Sequence, residues 1–125
     1  MQRNFGSVGA VFGFLSVALG AFGAHALKDR LSPEMAAVYH TAVEYQMAHS
    51  LGLILVALST AHVPSKLLTY VGWLFVVGIV LFSGSLYLLA VTGVTILGAI
   101  TPLGGVCFLA GWSLFAVALA KKETH

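Results

Sequence analysis

Glu44 is the residue with the most chemistry open to it in this 125-residue chain, because it stands in a largely apolar stretch. An ionisable group inside a membrane span costs roughly 2.5–3.5 kcal/mol and normally faces a partner or a cavity. His40 lies four residues earlier on the same helical face, so a hydrogen bond or an ion pair is available. His25 is a second partner, reached across a hairpin. The three are read first as a network that only specifies packing, with proton or ligand handling as the alternative. Metal binding is less well supported. His40 and Glu44 can chelate at i, i+4, but His49 lies nine residues from His40, half a turn around the helix. With the ligand set so incomplete, no metal or other cofactor is expected.

Further polar residues accompany these. His49 follows Tyr45 by four residues, which predicts a buried His–Tyr hydrogen bond. Ser83 and Ser85 flank Gly84, a pattern that permits close packing with the hydroxyls bonded back to the preceding turn. Neither lies in a GxSxG elbow or pairs in sequence with His and Asp, so no catalytic residue is assigned. Gln46, Tyr87 and Thr101 complete the polar set. His62 and His125 are expected to be solvated.

The elements that must position these groups follow from composition. Only 8% of residues are charged, 59% are apolar, and the mean hydropathy is +0.99. Phe5 to Leu27 runs without a charge, and two more such runs follow. About 20 apolar residues cross the ~30 Å hydrocarbon core. The chain is therefore read as an all-α integral membrane bundle, one domain over 1–125, of four antiparallel helices at about 5–27, 33–61, 67–91 and 96–120. Lipid leaves helices as the reasonable spanning form. Ser32 as N-cap, Pro33 at N1 and Glu34 in the first turn start the second helix. Its lipid-crossing part is about 42–61. Pro64 then breaks the chain, Ser65 caps the third helix, and Gly93 turns into the fourth. Pro102, near the start of that helix, is read as a structural start or kink.

In lipid, helices associate through small residues. Gly9 and Gly13 form a GxxxG pair, continued on roughly one face by Ser16, Gly20 and Ala24. Gly104, Gly105 and Gly111 predict similar contact on the fourth helix. The first seam is expected to pack within the chain, with dimerisation as the alternative. The lone Cys107 offers neither a disulfide nor a thiolate zinc site. Basic residues are too scattered for nucleic acid. The first run exceeds a signal-peptide h-region and is read as a permanent span despite Ala24-His25-Ala26. Arg3, Lys66, Lys121 and Lys122 outnumber Lys28 and Arg30 on the other side, which places the termini in the cytoplasm.

In an up-down bundle, His25, His40, Glu44, Tyr45, Gln46, His49, Ser83, Ser85, Tyr87 and Thr101 all map to the leaflet opposite the termini. They are expected to form one polar pocket there. The stretches Leu19–His25, Glu44-Tyr45-Gln46 with His49, Leu81–Tyr87, and Thr101–Gly105 with Gly111-Trp112 also carry a likeness. Together they resemble the YgdD-like family of small membrane proteins, found in bacteria and in animals as a small transmembrane protein. The resemblance implies a four-helix inner-membrane protein and supplies no chemistry. The expected function is a non-enzymatic interaction, assembly or structural component, with the bilayer and a homodimer or larger complex as partners. The alternatives are a small-solute or proton conduit using Glu44 and His25, and an enzyme at the lipid interface or a metal or haem binder.

Overall fold

A computed structural model of the protein describes residues 2–63 and 66–122. Pro64, Ser65 and His125, together with the side chains of Arg3 and Lys122, lie outside the described residues. Helix α1 is Gln2–His25 and α2 is Pro33–Ser59. The third span comprises α3 (Lys66–Gly78), a π-helical turn (Ile79–Ser83) and α4 (Gly84–Thr92). A 3-10 turn at Thr95–Ala99 leads into α5, Thr101–Lys122. Four spans are long and apolar enough to cross a membrane: Asn4–His25, Pro33–Ser59, Lys66–Thr92 and Thr95–Lys121.

Local chemistry sets the ends of these helices. Ser32 has an extended backbone, and its Oγ accepts from the Met35 N–H at 3.1 Å, with Pro33 at the first helical position. Gly93 ends α4 in the left-handed region at φ +72, where its N–H reaches the Leu89 carbonyl at 2.8 Å. Glycine adopts that backbone without strain. Pro102 lies in the first turn of α5, just after the 3-10 turn, so it starts the helix and does not kink it.

Helix α1 packs chiefly on α2, and α5 on α3, while α2 joins the two pairs along the third span. In the half of the bundle near the termini, the core is Phe5, Leu53, Val56, Leu68, Val71, Phe75, Phe115 and Ala118. At two glycines the close approach is to another helix's backbone. A Cβ on Gly9 would stand 2.7 Å from the Ser50 carbonyl oxygen, and one on Gly104 would overlap the Phe82 backbone. Gly13 and Gly20 also face α2, at Ser50 and Val43, and Gly111 faces the Phe75 ring. Gly105 lies in ordinary contact with Phe82. The seam of α1 is therefore filled by α2. Ala24 is an exception to the expected seam, since its side chain is exposed.

Candidate functional site

Two sets of polar side chains emerge from α2, on opposite faces. The inward set is Tyr39, Gln46, His49 and Ser50, all buried. The Gln46 amide, 3% exposed, is used at both ends. Its Nε2 donates to the Phe12 carbonyl on α1 at 2.9 Å, and its Oε1 accepts from Tyr87 Oη on α4 at 2.7 Å. The Phe12 carbonyl, inside α1, also accepts from Ser16 Oγ at 2.9 Å. Tyr39 Oη donates to the Leu19 carbonyl at 2.6 Å, and its ring meets Tyr87 edge-on.

One turn deeper, His49 joins α2 to α5. The Trp112 indole N–H donates to His49 Nε2 at 2.9 Å, which makes that nitrogen an acceptor. Nδ1 lies 2.8 Å from the Tyr45 backbone carbonyl and so carries the proton. The imidazole is held as one neutral tautomer, stacked on Phe108 with ring centroids 3.5 Å apart. The expected His–Tyr side-chain hydrogen bond is replaced by these two contacts. The Tyr45 phenol is 44% exposed and its ring lies against Phe82.

The π-helical turn decides where the third span places its hydroxyls. A π turn takes one residue more than an α turn, which advances the following helix by about 100°. Ser83, at its end, donates across the bundle to the Ala42 carbonyl at 2.7 Å. The sequence-based expectation was a bond back to its own helix. Ser85 does bond back, to the Phe82 carbonyl at 3.0 Å, and also meets Thr101 Oγ1 at 2.6 Å. Among the described residues, no buried side-chain nitrogen or oxygen lacks a partner.

The outward set differs. His40 Nε2 and Glu44 Oε1 form a pair at 2.6 Å, with side chains 73% and 60% exposed. His25 is exposed at the end of α1, and no hydrogen bond or ion pair joins it to Glu44. The expected single pocket is thus two regions. Gln46, His49, Ser83, Ser85, Tyr87 and Thr101 point inward, while His40 and Glu44 face away from the bundle and His25 stands apart. Among the described residues, no three His, Cys, Asp or Glu side chains gather as a metal site.

Three members of the inner network fall outside the sequence-based set: Tyr39, Ser50 and Trp112. A signal existed for Tyr39, which precedes Gln46 by seven residues on one helical face. For Trp112 it was the indole N–H, which needs an acceptor in lipid.

A cleft opens beside the outward pair. Gly20, Gly23 and Ala24 of α1 face Ala36, Tyr39 and Val43 of α2 around a cavity of about 260 Å³, with Lys28 and His40 also on its lining. Gly20 and Val43 also line a shallower groove that runs on past Glu44 to Ser16 and Met47.

The family model described as "Protein of unknown function (DUF423)" matches residues 19–105, the stretch from the cleft to Gly105. The UPF0382 membrane protein YwdK of Bacillus subtilis is 50% identical over 121 residues, covering 96% of this chain and 98% of its own. A UPF0382 membrane protein of Staphylococcus haemolyticus is 46% identical, with 96% and 98% covered. One from Staphylococcus aureus is 40% identical over 120 residues. No solved structure matches.

Proposed function

Because the chain belongs to the DUF423/UPF0382 family of membrane proteins of unknown function, we propose that it is a non-enzymatic docking component of the membrane. In this reading it works through the outer face of the α1–α2 hairpin. The observation that carries the proposal is the position of the His40–Glu44 pair. Gly20 of α1 lies against Val43, which places Glu44 about 7 Å below the His25 end of that span. An ionisable pair exposed at that depth calls for a covering group. The buried polar side chains need none, since each already has a hydrogen-bond partner among the described residues.

Glu44 on the outside of the bundle, with His25 apart from it, argues against a conduit built on those two residues. The lysine and arginine balance supports termini on the cytoplasmic side of the cell membrane. The four sequence motifs support the narrower kinship with the YgdD-like proteins and their animal counterpart.

Photocrosslinking tests the docking face. A crosslinker at Ala48, exposed one turn beyond Glu44, is compared in native membranes with one at Leu109, exposed on α5. The expected result is a discrete adduct, protein or lipid by mass spectrometry, from position 48 alone, weakened when Glu44 becomes Leu. Identical patterns from both positions would overturn the reading. In the same membranes, a cysteine label at the chain end should react only after permeabilisation.

A further inference from the structure

We propose that the cleft between α1 and α2 binds one phospholipid, with an acyl chain along the groove and the headgroup phosphate at Lys28. This rests on the hairpin's outer face being the contact surface, and it names what occupies that face.

Length and width point to an acyl chain. From the His25 end of α1 to Ser16 is about 14 Å, close to the roughly 15 Å of one leaflet's hydrocarbon, with Lys28 in the turn just beyond. The cavity and the shallower groove meet at Gly20 and Val43, so together they span that distance. A second helix is about 10–12 Å across with its side chains. A cavity of about 260 Å³ between two packed helices admits a single chain and not a helix.

Chemistry along the cleft has the polarity of an amphiphile. Its walls are glycine, alanine, valine and leucine, and the Tyr39 hydroxyl is already committed to the Leu19 carbonyl. Lys28 lines the mouth, at the headgroup end, and is exposed. It makes no ion pair among the described residues. Asp29 and Glu34, the carboxylates nearest in sequence, do not line the cavity. Where the two parts meet, the Glu44 carboxylate is held by His40 Nε2 at 2.6 Å.

The experiment is native mass spectrometry of the purified full chain in mild detergent, with added palmitoyl-oleoyl phosphatidylglycerol. One lipid per chain should persist at collision energies that strip the rest, and excess glycerol phosphate should not displace it. Lys28→Gln should weaken retention about fivefold, the factor for one basic residue at a lipid surface. Ala24→Phe, which fills the cleft from an exposed position, should abolish it, and Ala10→Phe, exposed on α1 but outside the cleft, should not. If Ala24→Phe loses its helical circular dichroism, Ala36→Phe blocks the opposite wall in its place.

Retention unchanged in both blocking variants overturns the proposal. So does a lipid-free wild type, or a dimer that the blocking variants dissociate. A discrete protein adduct from position 48 with no retained lipid would remove this inference and leave the docking reading standing.

Discussion

Gln46 and Glu44 stand two residues apart on α2, with side chains that differ in length by nothing and in placement completely. The amide lies between α1 and α4 with a partner at each end. The carboxylate lies outside the bundle with a single neighbour from its own helix. Two residues are about 200° of helix, so closeness in sequence and similar depth in the membrane do not make a shared site. The inner network joins four spans through neutral groups. The outer pair joins nothing to α2, and its worth must come from whatever covers it.

Reversible unfolding in detergent and SDS, followed by circular dichroism, can break or sharpen this contrast. The largest effect is expected from Gln46→Leu, which leaves the Tyr87 hydroxyl unpaired between helices. It should destabilise the bundle by about 1–3 kcal/mol. Trp112→Phe should cost less, about 0.6 kcal/mol with a ceiling near 1.7, the range for single interhelical hydrogen bonds in lipid. An equal loss from His49→Phe, with no further loss in the double variant, would identify one shared contact. The smallest effect belongs to Glu44→Leu, within about 0.5 kcal/mol, as for surface positions generally. If Glu44→Leu unfolds the chain as readily as Gln46→Leu, the two regions are one network and the contrast is lost.

Much of the architecture was readable from residues whose rules are local. Ser32-Pro33 marks a helix start and Gly93 a left-handed stop whatever surrounds them. The Gly9 seam needed only the knowledge that helices in lipid pack through small residues. The His40–Glu44 pair was likewise a matter of spacing. The facing of α2 was not readable, because apolar residues lie all round that helix. Amphipathic periodicity is what normally tells the inner face from the outer. The π-helical turn was equally hidden. Ile79–Ser83 is an ordinary apolar run, and what favours the extra residue comes from other helices. Those contacts are Gly104 against the Phe82 backbone and the Ala42 carbonyl waiting for Ser83. Without that phase shift, the faces of Ser85 and Tyr87 cannot be assigned from spacing alone.

The single tautomer of His49 has a consequence for an energised cell. A unit charge crossing a membrane potential of 100 mV exchanges about 2.3 kcal/mol with the field. Gln46, Ser83, Ser85, Tyr87, Thr101 and Trp112 carry no formal charge, and the Trp112 N–H keeps His49 in the same condition. The field therefore finds no charge to move in the interior. The bundle should hold one arrangement in a polarised membrane and in a collapsed one, a steady frame on which the outer face can change its company.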